Sequence, residues 1–464
     1  MNPAVTGIHN GPDRESRPLS DTSTVPTGLR RFGALVSPYG LVGAVTRLPA
    51  ADGEADLPTF VARLGDPGPV LDPHRRWSHR PEHGNLDGAG GDLDPARAAH
   101  LAVAEAVERY SSCAVDPDRT IRASADELGA EAVDLDSWPR CSPAELADPR
   151  CGLVAPDRAA PRRWVRGWSL TADRPVYVPA AHVWLKNPPE SAAEAVTNPT
   201  STGCAAHTDP VAAVVAGLLE VVERDAVSLA WLQRLRLPRL AADPAGLDDR
   251  SRELVGRGRV PYVHTLLFDA TTDLGIPVLF GLQLADHDRH LAQLVAAACV
   301  ADPRAAVAKV YREAAALRIA LRAAAAARTP PAGPDVASVV DGAIALGRRD
   351  RRHHFDFLLD GDRPVRRLAD LPAPPPGEPI TVLYWLLARL RAGGCEVVVV
   401  DLTTDEAEQA GAVVVRVLVP QLMPLSFVHR ARYLAHPRLY AAPAAMGHPV
   451  RAEADVNPVP QPFA

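Results

Sequence analysis

Two pairs of glutamates stand three residues apart, Glu105 with Glu108 and Glu220 with Glu223, and each pair is followed at once by an arginine, Arg109 or Arg224. On a helix that spacing sets two carboxylates side by side on one face. The commonest reason for such a pattern is a solvated face, but here the neighbours are apolar. Glu105 is the only charged residue between Ala98 and Val107, and Glu220 the only one between Val211 and Val222. Helices apolar on all sides are buried, and adjacent like charges in a buried place must meet something positive. The arginines can serve, and so can hard cations bound through oxygen. Carboxylates gathered from several helices with guanidinium groups beside them suit a Mg²⁺-nucleotide site, where oxygens take part of the metal shell and arginines brace phosphates. A structural ion-pair network is the competing reading, and the residues alone leave both open.

The helices that must carry these groups share one start. Asp94-Pro95, Asp209-Pro210 and Asp302-Pro303 each supply an N-cap acceptor and a proline at the first helical position, where its missing N–H costs nothing. Eleven residues after each Asp comes a glutamate, Glu105, Glu220 or Glu313; fourteen after come Glu108, Glu223 and Ala316. The chain thus carries three versions of D-P-x9-E-x-x-E-R, the third eroded, and such self-similarity predicts one internally repeated domain. Runs at Val176–Leu185, Tyr262–Phe268 and Ile276–Leu284 read as strands, the last two as a hairpin. A helix is expected over Ile380–Arg391, ended by Ala392-Gly393-Gly394. Two β-branched runs, Glu396–Leu402 and Ala412–Pro420, read as a buried sheet. The fold class is therefore α/β (α+β), with proline-rich linkers at Thr329–Asp335 and Leu371–Pro379. Gly88-Ala89-Gly90-Gly91, just ahead of the first helix, reads as a flexible turn or as a loop that admits phosphate.

With 464 residues, 50 basic against 56 acidic and a net charge of −6, the composition holds no basic block and argues against nucleic acid or an anionic membrane as partner. All but two of the basic residues are arginine; this reads as codon usage, and Lys186 and Lys309 gain no functional weight from it. Residues 1–28 are polar and read as a disordered leader without a targeting signal. The six cysteines form no C-x-x-C pair, so zinc is not expected and a reduced cytoplasm is. Cys204 and His207 read as a small buried thiol and a loop histidine, and Asp225 as structural.

The stretches Leu93–Ser111 (LDPARAAHLAVAEAVERYS) and Ser201–Trp231 (STGCAAHTDPVAAVVAGLLEVVERDAVSLAW) resemble the YcaO family. Val398–Arg438, with VVVDLTTDEAEQAGAVVVRVLVPQLMPLS, and the terminus Asn457-Pro-Val-Pro-Gln-Pro-Phe-Ala464 look like its azoline-forming branch. The resemblance implies a YcaO-like fold around an ATP site, with residues 29–330 as the core bearing the three glutamate helices and 331–464 as the C-terminal part. It implies ATP and Mg²⁺ as cofactors, Glu105, Glu108, Glu220 and Glu223 as metal ligands, and Arg109, Arg224 and Glu313 as further nucleotide contacts. It further implies a cyclodehydratase that phosphorylates a peptide amide oxygen to form thiazoline or oxazoline in a ribosomal precursor peptide. A ThiF-like or leader-recognition partner is implied beside it, and a homodimer is compatible with it. Pro458, Pro460 and Pro462 would form a rigid rod that carries the carboxylate of Ala464 into the active site. Six departures stand out: Leu101 where the family has serine, Thr202 and His207 where its S-N-G-x-A-x-G has asparagine and glycine, Ala316 where it has glutamine, and Gln461 and Ala464 where histidine and proline are frequent. They raise a second reading, a YcaO-like scaffold that docks peptide or partner without turning over ATP.

Overall fold

Each of the three Asp-Pro signals starts a long helix: α1 (Pro95–Ser111), α2 (Pro210–Leu232) and α3 (Pro303–Ala327). The Asp94 carboxylate accepts from the Ala96 and Arg97 amides, Asp209 from Val211 and Ala212, and Asp302 from Arg304. The computed structural model describes residue 19 and residues 23–50, 53–72, 76–79, 86–327, 329–330 and 333–464. Most of the expected leader lies outside these; within the rest of it, Val25 is buried and Thr27–Arg30 form a helical turn. A fourth long helix, α4 (Pro379–Ala392), falls where the sequence places it.

The strands are β1 (Ala44–Leu48), β2 (Thr59–Arg63), β3 (Gly88–Gly91), β4 (Thr120–Ala123), β5 (Arg162–Ser169), β6 (Arg174–Pro179), β7 (Cys204–His207), β8 (Arg239–Ala241), β9 (His264–Asp269), β10 (Leu279–Leu284), β11 (Gln293–Ala298), β12 (Val365–Arg367), β13 (Val398–Asp401) and β14 (Val413–Leu418). They form three sheets. One is β1-β2-β3; one runs β11-β10-β9-β8-β12; the third runs β4-β5-β13-β14-β7, with β6 paired to β5. Asp-Pro helices pack on all three sheets: α1 on β3 and β7, α2 on β14 and β7, α3 on β11 and β10. The fold is thus the α/β class expected, with the helix-plus-sheet unit repeated three times.

The third sheet is buried on both faces, as its β-branched runs require. Val398, Val400, Val414 and Leu418 join the core around α1, while Val397, Val415 and Val417 join the core around α2. The pair β9 and β10 is the expected antiparallel hairpin, with Phe280 opposite Phe268. β12 to β14, from beyond residue 330, pair with β8, β5 and β7, so two sheets draw strands from both sides of that boundary.

Two expectations need correction. The strand read over Val176–Leu185 ends at Pro179 and gives way to a 3-10 turn at Ala180–His182, since proline brings no N–H to continue a ladder. Gly88-Ala89-Gly90-Gly91 is neither a flexible turn nor a phosphate loop: it is strand β3, laid directly on α1. A Cβ on Gly88 would stand 2.0 Å from the Ala102 carbonyl oxygen, and one on Gly90 2.2 Å from that of Ala98. The helix face there is Ala98, Ala102 and Ala106, all fully buried. Glycine against alanine is what lets strand and helix backbones touch.

Candidate functional site

α1 presents its alanines to β3 and gathers Glu105, Glu108 and Arg109 into one charged group. The Arg109 guanidinium reaches Glu105 at 2.7 Å and Glu108 at 3.2 Å. α2 repeats the arrangement: Arg224 reaches Glu220 at 3.3 Å and Glu223 at 3.4 Å. The repeat extends to the backbone. Glu105 accepts the Ala89 amide of β3 at 2.9 Å, and Glu220 the Gly203 amide before β7 at 3.0 Å. Gly203 sits at φ +86°, and a Cβ there would lie 2.2 Å from the Val417 carbonyl oxygen, so the residue that presents this donor must be glycine.

The third unit is the eroded one, and its charge pairing has moved. Glu313 has no arginine one turn on; Lys309, one turn before it, lies 3.6 Å away, with Arg312 at 3.8 Å. Lys309 also donates to Glu223 at 3.0 Å, and the Cys299 amide donates to the same carboxylate at 2.8 Å. Glu223, 1% exposed, is therefore the link between α2 and α3. Lys309 is the residue the sequence reading missed. Its signal was present: it is one of two lysines in a chain whose other basic residues are all arginine.

The electrostatics show a cluster short of positive charge at one point. Burial pushes the Glu108 carboxyl up to about 8; Arg109 opposes this, while Glu105 and Glu220 add to it. Burial likewise raises Glu313, against the pull of Lys309. Burial would lower Lys309, but Glu223 and Glu313 outweigh it and hold the ammonium above its ordinary range. All seven sequence-predicted nucleotide contacts, Glu105, Glu108, Arg109, Glu220, Glu223, Arg224 and Glu313, thus belong to one connected network.

The C-terminal segment meets that network. The ring of Phe463 lies under the Arg224 guanidinium, 4.5 Å from carbon to centroid. Asn457 is pinned to the end of α2, its amide donating to the Leu232 carbonyl at 2.8 Å, and the Trp231 indole donates to the Val459 carbonyl at 3.2 Å. Gln461 holds the last turn, accepting from the Phe463 amide and donating to its carbonyl. Pro460 and Pro462 are buried, Pro458 is exposed and Ala464 is partly buried beside the core under α3.

Three other sequence readings resolve here. Asp225 is fully buried and bonded to Arg438 and to the Met423 amide, a structural anchor. Cys204 is buried against Arg416. His207 is exposed and takes the Asp209 amide.

A donor set of carboxylates backed by arginine and lysine is the chemistry of a magnesium-bound polyphosphate. The family model of the YcaO cyclodehydratases, described as binding ATP and Mg²⁺, matches residues 89–423. The chain belongs to the YcaO family. A curated relative, an uncharacterized protein from the tfuA 3′ region of Rhizobium leguminosarum bv. trifolii, is 31% identical over 204 residues, 42% of this chain and 44% of that protein. Among solved structures, a heterocyclase in complex with substrate and cofactor superposes with a TM-score of 0.77 at 23% identity, over 94% of this YcaO chain and 57% of that one. YcaO from Methanopyrus kandleri bound with AMPPCP and Mg²⁺ superposes with a TM-score of 0.56 at 21% identity, over 82% and 86%. These likenesses carry the YcaO fold. The chain spans under half of the curated relative and little more than half of the heterocyclase.

The residues of this YcaO chain fit Mg²⁺ with a nucleotide better than Mg²⁺ alone. Among the described residues no three carboxylate, imidazole or thiol groups converge as a ready-made metal cage. Mg²⁺ commonly takes one or two carboxylates and completes its shell with phosphate and water, and the raised Glu108 supplies a carboxyl that such a charge would ionise. Among the described residues, no helix is long and apolar enough to cross a membrane.

Proposed function

We propose that this YcaO protein is an ATP-dependent cyclodehydratase subunit that forms thiazoline or oxazoline rings from Cys, Ser or Thr of a ribosomally made precursor peptide. The observation that carries the reading is the pairing of Glu220 and Glu223 with Arg224, whose other face holds Phe463 of the proline-rich segment. Glu105, Glu108, Glu220 and Glu223 would hold Mg²⁺, and Arg109, Arg224 and Lys309 would take the phosphates. When bound, Mg-ATP supplies the phosphoryl group that turns the amide oxygen into a leaving group.

The rest is positioning and charge neutralisation by the chain itself. The substrate thiol or hydroxyl gives up its proton and adds to the preceding carbonyl carbon, which closes the ring; that oxygen would leave as phosphate, the amide nitrogen loses its proton and the C=N bond forms. Arg224 belongs to both the phosphate-facing cluster and the wall that receives Asn457–Ala464. That segment, with Pro458, Pro460 and Pro462 stiffening it and Ala464 at its tip, aligns the peptide and aids proton removal.

The same proposal includes a partner. A ThiF-like or leader-recognition protein delivers the precursor, so adding it raises the rate by orders of magnitude through effective concentration. The reaction belongs in the cytoplasm, with its ATP and reduced thiols. The test combines Mg-ATP calorimetry with mass spectrometry of a precursor peptide, which loses one water per ring. The scaffold reading draws on Leu101 and Ala316, which set hydrocarbon where the resemblance expects polar groups; absence of Mg-ATP binding with partner present would establish it.

A further inference from the structure

Arg224 also lines a cleft, open to solvent, of about 670 Å³. Trp138 and His182 close one side, the loop from Thr197 to Thr202 another, and residues 417–425 leaving β14 form its floor. Arg416 and Arg224 line it, and no Asp or Glu does.

The polar atoms on its walls have one sign of need. Trp138 Nε1, Asn198 Nδ2 and Arg416 Nε are buried without a hydrogen-bond partner, and all three are donors. Trp138 is 4% exposed and Arg416 7%. No wall residue contributes an orphaned acceptor. Buried donors without partners are rare and point to a missing acceptor. The remaining walls are apolar, from Val221, Leu422 and Met423 among others, and a bare anion has no use for them.

The donors are also held in place. The Trp138 indole stacks on the His182 ring with centroids 4.1 Å apart. The Tyr433 hydroxyl accepts the Asn198 amide at 2.9 Å and meets Thr197 at 3.2 Å. Tyr433 itself sits at φ +60°, a conformation costly for a bulky side chain and found where surroundings enforce a site.

We propose that this cleft seats the substrate peptide's backbone beside the residue to be cyclised, its carbonyl oxygens taken by Trp138, Asn198 and Arg416 and its small side chains by the apolar floor. The proposal rests on the reading of this protein as a peptide cyclodehydratase and names where its substrate lies. Arg224 would then separate peptide from phosphates by the width of one side chain.

A short synthetic peptide with photo-leucine beside a cysteine tests it by crosslinking to the full chain. Label is expected in the segments 197–202 and 417–425; label scattered over the surface, or protection of these segments by inorganic phosphate, would overturn the proposal. In turnover, Trp138→Phe keeps the stack and removes the donor, and Asn198→Ala removes another. Both should raise the half-saturating peptide concentration tenfold or more while Mg-ATP affinity and melting temperature hold. Unchanged peptide saturation, or a loss of Mg-ATP affinity, counts against it. Crosslinking needs no turnover, so a chain that failed to bind Mg-ATP yet took label here would end the cyclodehydratase reading and keep the peptide site.

Discussion

The Arg224 guanidinium bridges Glu220 and Glu223 on one side and lies over the Phe463 ring, 4.5 Å from its centre, on the other. A charge delocalised over a flat group can do both, which lysine cannot. Arg224 is thus where the helix repeat and the proline-rich segment are mechanically joined. Arg224→Lys should keep the fold and lose the junction, with ring formation reduced more than Mg-ATP affinity; equal loss in kinetics and calorimetry would show that the stacked face of Arg224 contributes nothing of its own.

Removing single carboxylates should separate binding from folding. Glu220→Gln is expected to abolish Mg-ATP binding in calorimetry with little change in melting temperature. Glu223→Gln should abolish it too and also cost about 1–3 kcal/mol of stability in denaturant titration, because Glu223 is buried and joins the Cys299 amide to Lys309. Retained binding in both variants would remove the glutamates from the metal site.

Glu108 sets a pH dependence with a definite sign. Its carboxyl is raised by burial, then by Glu105 and Glu220 against Arg109, to about 8 from an ordinary value of 4.5. Its contribution to stability is complete below the unfolded value and is lost as pH rises from there through about 8. Binding Mg-ATP favours the ionised form, so affinity should increase with pH up to about 8 and one proton should be released on binding below it. Calorimetry in buffers of different ionisation enthalpy counts that proton. Wild-type binding without proton release at pH 7 would contradict this.

Close packing of β3 on α1 predicts a contrast between two glycines. Gly90→Ala places a methyl against the Ala98 and Ala102 backbones and should cost about 1–3 kcal/mol or more. Gly256→Ala, in the helix Asp249–Gly258 with open space around its Cβ, should be neutral or stabilising by up to about 1 kcal/mol. Thermal melts of the two variants side by side decide it.

The proline-rich segment is tested by shortening it. Deletion of Pro460–Ala464 should suppress ring formation far more than Mg-ATP binding, and Phe463→Ala should do so in part, with about 0.5–2 kcal/mol lost from the stacking contact. Unaltered cyclisation by the deletion variant would leave the segment as a packing element only.

Local chemistry made much of this legible. Asp-Pro caps, a fixed count of eleven residues to a glutamate, and an apolar surround place the three helices and their carboxylates from residue order alone. Other features depend on approach between distant segments. The β3 glycines look like a loop until α1 is laid on them, because only the helix backbone explains why no side chain fits. Lys309 was hidden by a missing partner: its own repeat lacks the Arg, and the charge comes from one turn earlier. The donors from Ala89, Gly203 and Cys299 are backbone atoms and leave no mark on residue type. Trp138, Asn198 and Arg416 come from separate segments and share no spacing at all.

The position of β13 and β14 has a consequence for how the chain folds. These two strands lie between β5 and β7, so the centre of the third sheet is translated long after its flanks. Until they arrive, β5 and β7 each present an open edge facing a gap two strands wide. Pairing across such sequence separations is slow, since loop-closure entropy is lost before contacts compensate it. Synthesis on the ribosome therefore leaves a long interval in which apolar strand edges are unpaired, the state most prone to aggregate. Yield of native protein should respond to chaperone supply and to temperature during expression more strongly than the stability of the finished fold would suggest.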